Sequence, residues 1–522
     1  MSRALSTGQI TRKPAVHGAG GVVVSQNRIA SEIGAQVLRD GGNAVDAAVS
    51  MSFALGVVEP WMSGIGGGGY MILRRSGDAG GQVVDFGMRS PAGLRVDDYP
   101  VVGGASNDLF PWPVVRDNAN VFGARAVAIP GVVAGMGLAH DTFCTRPWAE
   151  LLAPAIAEAR AGLLVDWYCQ LALASAAPQL AQYPGSRAAF LDANGFPKAS
   201  AWTALSQTRC DLSPLADTLE GLAQDGPDCF YRGALARRLV EELNDQGGRH
   251  GLEDFANYRA RIVTASEVAY RGHKVFSTPE LTAGPTMENV LDLLSDWQPR
   301  GNSPDAAAYI AYDTAIRAAN AVRLSEMGDV EQEPVPSCTT HFNVVDRDGT
   351  TVSVTQTLLS MFGSRLMLPD TGVLMNNGIM WFDPEPGRPN SIGPAKRCLS
   401  NMAPTLLEHL DGRRIALGGS GGRKIMPVVA QLASFLLDYD MDLETAMHTA
   451  RIDSSMADVT IADDAMHETI LAALGKALPS LVSAPRTAYP LNFACPGIAE
   501  SGPSGAMAVA ETMAPWAEAV AE

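Results

Sequence analysis

The chain has 522 residues, 47% apolar and 18% charged, an ordinary globular balance long enough for about two to four domains. A formal net charge of −17 argues against nucleic acid or an anionic membrane surface as a partner. Seven cysteines without a Cys-x-x-Cys pair argue against a disulfide framework or a zinc ribbon, and eight histidines without an HxxEH or HxH grouping indicate no metal site.

Met1 to Gly21 carries Arg3, Arg12 and Lys13 but no apolar core of signal-peptide length, and no run reaches the about 18 apolar residues a bilayer span needs. The expected location is the cytoplasm. Val22-Val23-Val24 reads as a buried strand, and a helix follows with Ile29, Ile33 and Val37 on one face. Gly41-Gly42 stops it, and Asn43 caps a second helix lined by Val45, Val49 and Phe53, with Asp46 near its positive end. Gly64-Ile65-Gly66-Gly67-Gly68-Gly69 satisfies GxGxxG, yet Glu59-Pro60-Trp61 precedes it and the strand Tyr70–Leu73 follows, which is the wrong context for a dinucleotide. Close backbone packing is the better reading.

Val83–Phe86 is a strand ending near Arg89. Trp148–Ala161 and Ala234–Leu243 read as amphipathic helices, Tyr270–Pro279 as a strand, and Gly284-Pro285 as a helix start. Asp329–Ser337, rich in Glu and Pro, reads as an exposed segment. Then Phe342, Val344 and Val345 lead into Asp346-Arg347-Asp348-Gly349, and Thr351–Thr357 returns: Asp-Gly between β-branched runs is a hairpin signal. Leu374–Phe382 is expected to be a strand and turn. Ile415–Leu417 is a strand running through Gly418-Gly419-Ser420 to Gly421-Gly422 before a helix; such a turn either simply reverses the chain or aims two N–H groups at a developing oxyanion.

The Thr339-Thr340 pair at the mouth of the hairpin is on bare chemistry a pair of strand residues. An N-terminal threonine is different, since its own α-amine, with a free pKa of about 7.7–8.0, can act as its base. Thr339-Thr340-His341-Phe342-x-Val344-Val345-Asp346-x-Asp348-Gly349, with Ser353-Val354-Thr355-x-Thr357-Leu358 and Phe362-Gly363, resembles the γ-glutamyltranspeptidase family of N-terminal-nucleophile hydrolases. Ser31–Val49, the glycine run from Gly64, Ala128–Gly135 and Gly418–Gly422 resemble further family segments, so the likeness covers most of the chain.

The resemblance implies an α/β (α+β) chain folded as an αββα sandwich, cut before Thr339 into a large piece, 1–338, and a small piece, 339–522. These would stay together as a heterodimer that can dimerise further. It also implies Thr339 as nucleophile and base, Thr357 as the threonine that holds its rotamer, and Gly421 and Gly422 as the oxyanion hole, with no cofactor. Water or an amine would take the acyl group.

Three family positions that hold a substrate α-ammonium are Leu359, Gly378 and Trp381 here, and a buried ammonium without partners is costly. On the carboxylate side the family's Ser-Ser pair is Ser400-Asn401, and its arginine is shifted two residues to Arg89, which reads equally as a surface charge. The expected substrate is a small amide whose acyl group bears a carboxylate but no α-amino group, glutaryl-like or oxamate-like. The alternatives are an ordinary glutathione hydrolase or γ-glutamyltransferase with rearranged contacts, and an uncleaved binding or scaffold homologue.

Overall fold

The Asp346–Gly349 turn closes the hairpin on which both layers of the fold are built. The structure is a computed structural model describing residues 12–105, 112–200, 203, 207–327 and 338–522, the last run without 457, 479 and 504. Gly349 takes φ +81°, and the Asp346 carboxylate accepts the N–H groups of Asp348 and Thr350. Cys338–Val345 and Thr351–Leu359 therefore pair antiparallel. Val22–Ser25 adds to the first strand and Gly68–Arg74 to the second.

That sheet has seven strands in the order Glu518–Ala521, Val22–Ser25, Cys338–Val345, Thr351–Leu359, Gly68–Arg74, Gln82–Phe86, Arg261–Thr264. A second seven-stranded sheet runs Val16–Gly18, Gly505–Ala510, Cys495–Gly502, Arg414–Ser420, Thr405–Glu408, His273–Ser277, Ser266–Tyr270. The hairpin lies against Arg414–Ser420 and Cys495–Gly502, so the two sheets stack face to face.

Alternation along Cys338–Val345 sends Phe342 and Val344 outward into the helix-facing core, and His341 and Asn343 inward. Asn343 donates to the Gly497 carbonyl at 2.8 Å, and a Cβ on Gly418 would meet His341 Cε1 at 2.3 Å. Glycine on the facing strands makes room for this polar layer. Burial drives the His341 pKa down to about 3, so the ring is neutral, held by Thr355 Oγ1 at 2.9 Å and Asn343 Oδ1 at 3.1 Å.

Helices cover both outer faces, which gives the expected αββα sandwich. Asn43 Oδ1 accepts the N–H groups of Val45 and Asp46, and the Asp46 carboxylate accepts the Asn43 N–H, opening helix Ala44–Val58. Every residue of that helix is buried rather than one face, because Val132–Phe143 and Trp148–Ala161 pack over its small Ala, Ser and Gly residues. Over the second sheet lie Gly284–Ser295, Ala306–Glu326 and Ile425–Leu437. Among the described residues, no helix is long and apolar enough to cross a membrane.

Two local expectations are corrected. Tyr270–Pro279 is not one strand: the chain turns at Arg271 and Gly272, φ +50° and +86°, and Ser266–Tyr270 pairs back on His273–Ser277. Leu374–Phe382 forms no strand, because Asn376 and Asn377 spend their side chains on backbone groups of three neighbouring segments and the chain curls into a 3-10 turn, Gly378–Trp381. The expected exposed segment Asp329–Ser337 lies outside the described residues.

Candidate active site

Pairing in the hairpin breaks where the Thr-Thr motif begins. Thr340 lies opposite Gln356 and Cys338 opposite Leu359, so Thr357 and Leu358 together face the single residue Thr339. This is a β-bulge, a device that re-aims a side chain at the end of a ladder. It brings Thr339 and Thr357 to facing positions, both fully buried. Thr357 Oγ1 accepts the Leu359 N–H at 2.7 Å, and Gly67 packs so closely on the Thr357 carbonyl that a Cβ there would lie 2.1 Å away. The glycine run serves that approach.

A buried polar chain starts at Thr340. Its hydroxyl lies 3.2 Å from Glu59 Oε2 and 3.4 Å from Gln26 Oε1. Gln26 Nε2 donates in turn to Ser420 Oγ and to the Cys495 carbonyl. Ser420 is the last residue of its strand, next to Gly421 and Gly422 at φ +128° and +68°. The chain thus ties the end of the first sheet, carrying Thr339, to the end of the second, carrying the glycine turn. No described residue accepts a hydrogen bond from the N–H of Gly421 or Gly422.

Glu59 ends helix Ala44–Val58 at 4% exposure with no cation paired to it among the described residues. Burial pushes its carboxyl up to about 8, with the Thr340 contact opposing. It is protonated at neutral pH. The Thr340 hydroxyl has one proton for two oxygens; with Glu59 protonated, the carboxyl O–H can donate to Thr340 Oγ1 while the Thr340 hydroxyl donates to Gln26 Oε1.

The other expected residues line one flank. Leu359 is fully buried at φ +85°, a conformation costly for a branched side chain. Trp381 is 1% exposed, and its indole N–H has no acceptor among the described residues. At Gly378 a Cβ would meet Ala128 Cβ at 2.8 Å, so no side chain fits there. Leu359, Trp381, Ile379, Met380 and Met402 belong to one apolar cluster. Ser400 and Asn401 are buried beside it, the Ser400 N–H donating to the Leu281 carbonyl at 2.9 Å. A small cleft of about 20 Å³ is lined by Leu281 with Tyr70, Asp85, Gly87, Met88, Pro279, Arg397 and Cys398. Arg89 is exposed, its Nε donating to the Ala395 carbonyl at 3.1 Å.

Gln26, Glu59, Ser420 and Arg323, which contacts Ser400 and Asn401, were not singled out by the sequence. A charged residue just past the end of a helix whose last six residues, Phe53–Val58, are apolar or glycine was the one available signal, and it pointed to Glu59. Among the described residues, no group of three His, Cys, Asp or Glu could hold a metal ion.

The arrangement offers a buried hydroxyl on a bulge, a facing threonine, and a glycine turn with open N–H groups, the parts of an acyl-transfer site. The profile of the Gamma-glutamyltranspeptidase family matches residues 30–338 and 303–488. The chain is 34% identical over 518 residues to the Acylase ACY 1 proenzyme of Pseudomonas sp. (strain SE83), covering 92% of this chain and 90% of that one. It is 31% identical over 489 residues to the Glutathione hydrolase proenzyme of Bacillus subtilis (strain 168), covering 83% and 81%. The fold superposes on a crystal structure of cephalosporin acylase from Bacillus halodurans with a TM-score of 0.85 at 21% identity, covering 100% of this chain and 99% of that one. Extent of match and shared fold agree: the chain is an enzyme of the gamma-glutamyltranspeptidase family of N-terminal-nucleophile hydrolases.

Proposed function

We propose that this enzyme is a self-processing amidohydrolase that takes an acyl group bearing a carboxylate and no α-amino group, glutaryl-like or oxamate-like. The observation that carries the reading is the wall formed by Leu359, Gly378 and Trp381. It is buried and apolar, with no space for a side chain at Gly378. An α-ammonium against it would lose its water without gaining acceptors. Relatives named as acylases support the same direction.

In this reading Thr339 Oγ first attacks the Cys338 carbonyl carbon. The peptide C–N bond breaks as the ester forms, the proton moving from Oγ to the departing α-nitrogen. Water then cleaves the ester, leaving the Cys338 carboxylate and a free α-amine on Thr339. The pieces 1–338 and 339–522 stay joined because the strand beginning at Cys338 is hydrogen-bonded to Val22–Ser25 of the other piece. In turnover the Thr339 amine takes the Oγ proton, Oγ adds to the substrate carbonyl, and the N–H groups of Gly421 and Gly422 meet the oxyanion. The leaving amine departs with the proton. Water, or an acceptor amine, releases the acyl group. Thr357 holds the Thr339 hydroxyl, Ser400 and Asn401 receive the acyl carboxylate, and Arg89 at the exposed rim attracts it over longer range.

Hydrolysis of γ-glutamyl anilide and glutaryl anilide, with ammonia release from oxamate as a third arm, tests the reading on matured protein. Faster turnover of either amine-free substrate is expected. A preference for γ-glutamyl anilide would instead make this a glutathione hydrolase, the activity named for the Bacillus subtilis relative.

A further inference from the structure

Four arginines surround the acyl side of the site, and three have their charge answered. Arg89 stands in water. Arg397 pairs with Glu280 at 2.7 Å, and Arg261 with Asp85 and Glu280 at 2.6 Å each. Arg323, near the end of helix Ala306–Glu326, is 4% exposed, and no carboxylate among the described residues pairs with it. Its hydrogen bonds go to neutral atoms: Nη1 donates to the Thr282 carbonyl at 2.6 Å, Thr286 Oγ1 at 3.2 Å and, weakly, Met327 Sδ at 3.9 Å, Nη2 to the Ser400 carbonyl at 2.8 Å and Asn401 Oδ1 at 3.1 Å. Burial lowers its pKa to about 9, so at neutral pH it remains a cation in a place where an unanswered charge is costly. Structural arginines in this protein that are as deeply buried carry an acid: Arg451 is 1% exposed and paired with Glu511.

The contacts of Arg323 also orient its neighbours. A guanidinium only donates, so the Asn401 atom that meets it is the oxygen, and the amide nitrogen occupies the other end. Ser400 Oγ accepts the Met402 N–H at 3.1 Å, which leaves the hydroxyl proton to be donated. The Ser400 hydroxyl donor thus sits beside a buried positive charge, the converse of an ammonium site and the match of an anion.

We propose that Arg323 is the positioning residue and fixed positive charge of the acyl pocket, holding Ser400 and Asn401 so that their donors meet a carboxylate on the acyl group. This rests on the reading of the acyl group given above. It assigns the discriminating charge to a residue behind the pocket wall rather than to the exposed Arg89.

The test compares glutaryl anilide with pentanoyl anilide, equal in length and lacking the carboxylate, on matured wild type, Arg323→Gln and Thr286→Asp. Thr286 meets Nη1 of the guanidinium where Asn401 meets Nη2, and it lies in the first turn of Gly284–Ser295, where an acid is favourable. Thr286→Asp neutralises Arg323 without altering Ser400 or Asn401. The ratio of kcat/KM for glutaryl over pentanoyl anilide is expected to fall about tenfold or more in both variants, through KM, with pentanoyl turnover of Thr286→Asp unchanged. A ratio that stays at the wild-type value, or equal losses on both substrates, makes Arg323 a purely structural residue and overturns the proposal. If Arg323→Gln does not mature, Thr286→Asp decides alone. A wild-type enzyme with no preference for the glutaryl substrate removes the carboxylate reading itself, a different failure from a preference that survives both substitutions.

Discussion

Replacing Glu59 by glutamine in the uncleaved chain isolates one buried proton. The carboxyl rises from its ordinary 4.5 to about 8, mainly because burial disfavours the charged form. Below pH 4.5 both folded and unfolded chains hold the proton, and Glu59 contributes no pH dependence. Between 4.5 and about 8 the unfolded chain has released a proton that the folded chain keeps. Stability therefore falls as pH rises, by about 1.4 kcal/mol per pH unit. Integrated over that window the loss is on the order of 5 kcal/mol, an upper figure because water entering near an ionised group reduces it. Glutamine is neutral throughout, keeps an N–H donor for Thr340, and escapes the loss.

The assay is urea unfolding of Thr339→Ala and Thr339→Ala/Glu59→Gln, both single chains, at several pH values from about 5 to 8.5. The two should differ little at pH 5, and the glutamine variant should gain steadily above it. A gap that stays flat with pH refutes the assignment of the proton to Glu59. Maturation supplies a second check. A freed Thr339 α-ammonium arises one residue from Thr340, whose hydroxyl contacts Glu59, and an opposite charge near a carboxyl lowers its pKa. The pH dependence traced to Glu59 should then be weaker in the cleaved enzyme.

Thr339→Ala should persist as one chain by intact mass and hydrolyse nothing; spontaneous appearance of two chains would remove Thr339 as the nucleophile. Thr357→Ala should slow both cleavage and turnover while unfolding at the same temperature, and unchanged rates would take it out of the site. Gly421→Ala places a Cβ 2.8 Å from Ala494 Cα at a φ of +128°, so the turn must move. Loss of one oxyanion donor costs about 10²–10³ in kcat, and a variant within threefold of wild type would show that the turn only reverses the chain. Leu359→Asn removes a leucine from φ +85°, relieving about 1 kcal/mol of backbone strain, and puts an acceptor into the apolar wall. Its γ-glutamyl to glutaryl rate ratio should rise, and a fixed ratio would mean this wall does not choose the acyl group.

What could be read from the sequence is what short-range chemistry decides. Asp346–Gly349 fixes the hairpin, Asn43 and Asp46 fix a helix start, and the apolar period of Trp148–Ala161 runs to a stop at Gly162, whose φ of +80° favours glycine. The misread elements lack such signals. Arg271-Gly272 turns the chain without the Asn-Gly or Asp-Gly pair that marks tight hairpins, and Leu374–Phe382 looked strand-like because its asparagines act on distant partners. The polar chain behind Thr339 was illegible for the same reason. Thr340 meets Glu59 and Gln26 across 281 and 314 residues, and Gln26 meets Ser420 across 394. Only the folded topology shows that these residues share one end of the sandwich.

The choice between an anion and an ammonium in the acyl pocket comes down to which hydrogen-bonding role the fold has left open. Most side-chain acceptors on that flank are engaged among the described residues, the exception being Oδ1 of Asn390, whose amide nitrogen donates to the Trp381 carbonyl. Asn376 Oδ1 takes the N–H groups of Ala128 and Gly378, Asn377 Oδ1 takes that of Ser360, and Asn401 Oδ1 takes Arg323. The carboxylates of Asp85 and Glu280 at the cleft are held by Arg261 and Arg397. Donors remain: the Ser400 hydroxyl proton and the unpaired indole N–H of Trp381. An ammonium brings three donors and needs acceptors, whereas a carboxylate brings only acceptors. Free glutarate should therefore inhibit the matured enzyme at lower concentration than free glutamate, because the added α-ammonium loses water against the apolar wall of Leu359, Gly378 and Trp381. Equal inhibition by the two would mean that acceptors reach the pocket from residues outside this flank, and the carboxylate would no longer be the feature on which selection turns.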